Sequence, residues 1–228
     1  SDQDIRSGKL DDYDALVVPG SPDAGECYYH GLGDAGFQKI RDFIHDRGHY
    51  LGVCGGAYLP LTSYRTQNHY WLNIVDATDN EGLDYWRTGS AHVRCRIDVN
   101  DHPIFTGMVA GDWNSINLVY WEGPAIEPKG GNITSLAHFE RLLQTGDKMQ
   151  PYWDMMDNTM AKEALTTYYN PVTQEEFDTL LHRKTALAEA TYGGHHILMY
   201  SPHPEMGNVG YAKRKDSINF LLLYNGLF

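Results

Sequence analysis

Two short stretches of this chain carry residue types and spacings suited to covalent chemistry. The first is His49-Tyr50-Leu51-Gly52-Val53-Cys54-Gly55-Gly56-Ala57-Tyr58. A short apolar strand, one cysteine and two glycines opening a helix make the layout of a nucleophile elbow, with Cys where Gly-x-Ser-x-Gly has Ser. The turn is sharp, so the neighbours of the nucleophile must be small, and Gly52 and Gly56 flank Cys54 at that spacing. A helix opening after Cys54 would aim its positive end at the sulfur and favour the thiolate, the reactive form. Backbone N–H groups at the same place would hold an oxyanion. The plain alternative is a core cysteine beside a glycine turn, since free cysteines are often buried.

A nucleophile needs a base, and the second stretch supplies one. Ser201-Pro202-His203-Pro204-Glu205 locks a histidine between two prolines with a carboxylate two residues on. In an extended segment residues i and i+2 point the same way, so Glu205 is expected to orient the His203 imidazole. Cys54 as nucleophile, His203 as base and Glu205 as orienter follow triad logic.

The elements that must position these residues are legible in part. Ala15-Leu16-Val17-Val18 is a continuous apolar run ending at Pro19-Gly20, the pattern of a buried parallel strand leaving its sheet. Ligands bind outside that edge, which makes the loop from Gly20 to Gly25 a site wall. Phe37, Ile40, Phe43 and Ile44 recur at helical spacing, and Gly48 stops the helix. Residues 15–61 therefore read as a βαβ unit that sets the Gly20 loop beside Cys54. Val93 to Val99 alternates as a strand, Ile116 to Trp121 is another, and Ala186–Tyr192 with His195–Tyr200 form a hairpin through Gly193-Gly194. Residues 144–184 read as an insertion or lid-like excursion that includes a short helix over Glu175–Leu181, with Thr173 and Glu176 as a capping box. Ile218 to Tyr224 is a last helix. The expected fold is α/β, a doubly wound, mostly parallel sheet in one domain over 1–228.

Composition narrows the function. The net charge is −12 over 228 residues. That argues against a nucleic-acid partner, which needs basic patches; the one tight basic run, Lys213-Arg214-Lys215, reads as a solvated loop or helix start. No apolar run approaches the ~18 residues of a membrane span. Three cysteines, Cys27, Cys54 and Cys95, make no disulfide framework and suit a reducing, cytoplasmic setting. No metal-ligand spacing is present, and the reading calls for no cofactor.

With these residues in place, the chain resembles the class I glutamine amidotransferase superfamily, which carries Gly-x-Cys-x-Gly and a late His-Pro-Glu on a flavodoxin-like sheet. It is more closely similar to the glutamine-amidotransferase-like domain at the N-terminus of biotin protein ligases and to its stand-alone relatives. The stretches that carry the resemblance are Tyr13 to Gly20, Glu26-Cys27-Tyr28, Ile40 to Phe43, Tyr50 to Tyr58, Trp121 to Pro124 and Ser201 to Glu205. The resemblance implies a nucleophile at Cys54, its partners at His203 and Glu205, and oxyanion donors on the backbone of Gly20, Ser21 and Gly55. Substrate contacts are expected from Cys27, Tyr28 and Tyr58. Two positions depart from the family: Tyr58 stands where glutaminases carry the Gln that holds substrate, and Pro19-Gly20-Ser21-Pro22 replaces the glycine-rich oxyanion loop. The family's sheet also has a strand and a helix before the segment matching Tyr13–Gly20, so an N-terminal segment or a partner chain is expected to supply them.

Three readings follow: an amide hydrolase or amidotransferase working through a thioester, a non-catalytic binding module on the same fold, or a cysteine peptidase with its groove beside 144–184. The first implies a small-molecule amide substrate, a separate chain to accept ammonia, and room for a homo-oligomer. Asp23, Glu26, Arg65 and His69 are further contact candidates.

Overall fold

The computed structural model describes residues 1–21, 24–62, 68–79, 90–108, 114–145, 172–206 and 218–227. In chain order its strands are β1 (Ala15–Val18), β2 (His49–Val53), β3 (Ala77–Asp79), β4 (Ser90–Ile97), β5 (Ser115–Trp121), β6 (Ile126–Pro128), β7 (Ile133–Thr145), β8 (Thr185–Tyr192) and β9 (His195–Tyr200). The α-helices are α1 (Asp2–Arg6), α2 (Ala24–Asp46), α3 (Gly55–Tyr58), α4 (Gln174–Glu176) and α5 (Phe220–Asn225).

Strand order runs β1-β2-β9-β8-β7-β4-β5, with β3 and β6 paired beside it. Alternation along the central strands decides what each face buries. In β2, Leu51 and Val53 join one apolar cluster and Tyr50 the other; in β9, Leu198 and Tyr200 join the first, Ile197 and Met199 the second. This period of two sends successive side chains to opposite faces. The second cluster is closed by Phe37, Ile40, Phe43 and Ile44 of α2, the helical stripe read from the sequence. The helix bends at Gly33, whose φ is 60°.

The α/β character and the βαβ start are as expected, but the expectation of a mostly parallel sheet is corrected. Among the described strands only β1–β2 and β2–β9 pair in parallel, with one isolated parallel bridge between Leu61 and Val75. The other strands meander antiparallel, because turns as short as Gly193-Gly194 can join only antiparallel neighbours. The alternating pattern of Val93–Val99 is itself more typical of an antiparallel strand.

The sheet curls back on itself. Although β5 is last in the order, the His203 N–H beyond β9 donates to Val119 O of β5 at 2.7 Å. The ends of the expected excursion belong to the body of the fold. Residues 144–145 finish β7, while Val172, Phe177, Leu180 and Leu181 are buried in the first cluster. Thr173 and Glu176 form the expected capping box. Residues 146–171 lie outside the described set. At the other margin β1 pairs only with β2 among the described residues, and Val17 is 47% exposed.

Candidate active site

Cys54 sits where β2 gives way to α3, with φ 52° and ψ −112°. A non-glycine residue held there is strained, a state that persists only when the surroundings over-determine it. Three contacts do so. The Cys54 N–H donates to Tyr200 O at 2.8 Å, tying the end of β2 to the end of β9. The Ala57 N–H donates to Cys54 O at 2.8 Å. Beneath them the fully buried Tyr50 hydroxyl donates to Gly56 O at 2.6 Å. The flanking glycines are required by close approach: a Cβ on Gly56 would lie 2.0 Å from Val18 O, and one on Gly52 2.2 Å from Gly56 O. The helix after the elbow is only four residues long. The expected help from a helix dipole is therefore small, since few peptides align there.

Cys54 and His203 meet here although 149 positions apart in sequence. A Cβ on Gly20 would touch Cys54 Sγ at 3.4 Å and His203 Cε1 at 3.4 Å, so the β1 turn, the sulfur and the imidazole share one small volume. Both side chains also face one carbonyl. Cys54 Sγ donates to Trp121 O at 3.2 Å, and His203 Nε2 lies 3.4 Å from the same oxygen. On its other side His203 Nδ1 is 2.6 Å from Glu205 Oε1. The route to that contact differs from the extended geometry expected: Pro204–Met206 is a turn of 3₁₀-helix, which folds Glu205 back on the ring.

Burial lowers the affinity of His203 for a proton, but the Cys54 sulfur and the Glu205 carboxylate outweigh it, and the imidazole pKa is pushed up to about 10. The geometry agrees, because only the doubly protonated ring can donate to both Glu205 and Trp121 O.

The remaining sequence candidates divide. Ser21 N lies 2.6 Å from where a Gly55 Cβ would stand, so the Gly20-Ser21 turn and Gly55 are adjacent. Tyr58 is 8% exposed and packs on Trp71 at 5.7 Å. Burial raises its phenol well above the ordinary range, with Asp79, Tyr120, Cys54 and Glu122 adding negative charge. Tyr28 is partly buried, and its hydroxyl donates to Pro19 O. Cys27 is an exposed thiol on the first turn of α2. Glu26 faces His30 on the helix surface, and His69 meets Tyr29 edge-on and Tyr70 at a tilt. Asp23, Arg65 and Lys213 to Lys215 lie outside the described residues.

Sequence reasoning gave no site role to three residues, although Trp121 and Glu122 lie in a stretch that carries the family resemblance. Trp121 offers its backbone oxygen, and Glu122, at φ 52°, turns the chain beside it. Asp79 is 7% exposed, accepts from the Ala125 N–H at 2.7 Å and lies near the Tyr58 hydroxyl. The sequence signals for Trp121 were the family-like stretch Trp121 to Pro124 and its Gly123-Pro124 stop after a strand. Among the described residues no group of three or more His, Cys, Asp or Glu is arranged to hold a metal ion.

Comparison with solved structures identifies the fold. The chain superimposes on a glutamine amidotransferase from Thermotoga maritima with a TM-score of 0.53 at 13% identity, covering 96% of this chain and 78% of that one. It matches a ThuA-like protein from Bacteroides uniformis at 0.51 and 12%, covering 98% and 72%. A cytoplasmic protein from Salmonella typhimurium LT2 matches at 0.50 and 13%, covering 99% and 79%. The fold is the flavodoxin-like α/β fold of class I glutamine amidotransferases. Over residues 11–71 the sequence matches the family model for biotin-protein ligase, N terminal, which relates that fold to the ligase's N-terminal domain. A search of curated protein sequences finds no significant match. No helix among the described residues is long and apolar enough to cross a membrane.

Proposed function

We propose that this chain is a cysteine-nucleophile amide hydrolase or amidotransferase-like enzyme that works through a Cys54–His203–Glu205 relay and a thioester. The observation that carries this reading is the meeting of a strained elbow cysteine with an imidazole braced by a carboxylate at 2.6 Å. Cys54 passes its proton to His203 Nε2, the resulting thiolate attacks the amide carbonyl carbon, and the carbonyl π electrons move to oxygen. Backbone N–H groups of Gly20, Ser21 and Gly55 stabilise that oxyanion. As it collapses the C–N bond breaks, and His203 delivers its Nε2 proton to the leaving amine. Water then attacks the thioester, His203 takes up its proton, and the thiolate leaves. Glu205 keeps the ring oriented and offsets its charge. The substrate is a small-molecule amide. Tyr58 in the position of the usual glutamine contact favours an amide other than glutamine.

Thiol labelling tests the reading. Cys54 is expected to react with iodoacetamide at pH 6 far faster than Cys27, Cys95 or a free thiol, read by peptide mass spectrometry. Labelling no faster than a free thiol sinks it. Ammonia release from glutamine, set against release from other amides, then sorts the substrate.

A binding module without turnover is the second reading, and one contact favours it. Trp121 O accepts a hydrogen bond from Cys54 Sγ, so a backbone carbonyl engages the sulfur where a nucleophile needs a base. The same labelling experiment separates the two.

A further inference from the structure

The turn that faces the sulfur is held by a residue outside the proposed relay. Tyr28 lies on α2, one turn in from its start, and its hydroxyl donates to Pro19 O at 2.5 Å. The Ser21 side chain is hydrogen-bonded to the same phenol. Tyr28 Oη also lies 3.1 Å from where a Gly55 Cβ would stand, beside Ser21 N at 2.6 Å from that point. One hydroxyl thus ties together both ends of Pro19-Gly20-Ser21 and packs against the elbow.

A trans peptide fixes its two polar groups in opposite directions. Holding the Pro19 carbonyl therefore fixes the direction of the Gly20 N–H. The Ser21 contact anchors the far end of the turn through its side chain. A half-turn of the Pro19–Gly20 peptide would reverse the direction of that N–H. Proline at position 19 narrows the turn's conformations but cannot by itself choose between the two peptide orientations.

We propose that Tyr28 is a positioning residue: its hydroxyl sets the Pro19-Gly20-Ser21 turn so that the turn's N–H groups meet the developing oxyanion, and it does not itself bind substrate. The proposal rests on the thioester reading above. Burial, with the Cys54 and Cys27 sulfurs, pushes the phenol well above its ordinary range, so the hydroxyl stays protonated and able to donate at working pH.

Two reagents that attack the same sulfur separate this role from a general one. Acylation by p-nitrophenyl acetate passes through an oxyanion; alkylation by iodoacetamide is a direct displacement and forms none. Tyr28→Phe keeps the ring and removes both hydrogen bonds. It is expected to slow acylation of Cys54 by about 10- to 100-fold, somewhat less than deleting an oxyanion donor outright. Alkylation should stay within about two-fold, because the sulfur and His203 are untouched. Ser21→Ala keeps the backbone N–H and loses one of the two bonds, so it should slow acylation in the same direction but by less. Unchanged acylation in Tyr28→Phe overturns the proposal. An equal fall in both reactions also overturns it, because the residue would then act on the sulfur or the fold. If the wild-type protein is acylated no faster than a free thiol, there is no oxyanion site to position, and the thioester reading falls together with the proposal.

Discussion

The strands β1, β2 and β9 and the strands β8, β7, β4 and β5 build two halves of one sheet under different rules. The first three run parallel without a register break. They end at one edge, so the Gly20 turn, Cys54 and the Ser201–Glu205 segment all leave the sheet together. Ligand sites form at such an edge. The other four meander, with register shifts at His92/Val93 and Arg94/Cys95 and again at Ser135/Ala137 and Ala137/His138. Each shift adds local twist and bends the strand. The bent half brings β5 round to His203 and delivers the Trp121 carbonyl to the sulfur. The contrast teaches a division of labour. The parallel half carries the side chains proposed to react, and the antiparallel half closes over them with backbone.

Substitutions break that division in order of effect. Gly56→Ala should do most damage, because its Cβ would meet the Val18 carbonyl at 2.0 Å and force β1 away from the elbow. Both thermal stability and rapid Cys54 labelling are expected to be lost. A variant that melts normally and still labels fast at pH 6 would dissolve the claim that this half sets the nucleophile.

Glu205→Gln should strike reactivity more than fold. His203 loses its carboxylate but keeps the Cys54 sulfur, the larger cause of its raised pKa, so that pKa should fall below about 10 without returning to its ordinary value. Acylation of Cys54 should slow about 10²-fold or more. The sign on stability follows from the raised pKa. The wild-type imidazole contributes fully below about pH 6.5, and that contribution disappears as pH climbs through about 10. Wild-type Tm should therefore fall over that window, by about 2–4 °C per kcal/mol lost. The fall should shrink in Glu205→Gln. Equal slopes in the two proteins would refute the assigned coupling.

Phe139→Ala tests the other half. Phe139 is fully buried and meets Tyr120 edge-on at 5.5 Å. Truncation should cost about 3–5 kcal/mol by denaturant unfolding. The molecules that remain folded should label at the wild-type rate. Slower labelling of the folded fraction would show that the antiparallel half tunes chemistry as well as closing the fold.

The smallest effect is expected at Arg183, which is exposed with φ 64° just before β8. Arg183→Gly removes left-handed strain of about 1–2 kcal/mol and adds back about 0.5–1 kcal/mol of chain entropy. A Tm rise of a degree or two is the expected outcome, with no change in labelling.

These two halves were unequally legible. The parallel half announced itself locally: Ala15–Val18, the helical stripe Phe37–Ile44 and the Gly-x-Cys-x-Gly frame each fix a conformation within a few residues. The hairpin at Gly193-Gly194 and the Thr173–Glu176 capping box were local too, and both are present. The direction of β4, β7 and β5 was not readable, because alternation gives the buried face of a strand and not its partner. The 3₁₀ turn at Pro204–Met206 was missed because prolines on either side of a histidine permit extended or turned backbone alike. Glu122 at positive φ was missed because glutamate has no preference for that region.

What the sequence by itself determined was the candidate inventory and its local frames: a cysteine between glycines that no side chain could replace, and a histidine with a carboxylate two residues on. Tertiary structure alone decided the rest. Parallel pairing of β2 with β9 put Cys54 and His203 at one edge, and the curl of the sheet set Trp121 O between them. Tyr28 reached back from α2 to grip the turn before it. Those contacts join residues far apart in the chain, and a distant carbonyl or hydroxyl leaves no trace in the spacing of the residues it serves.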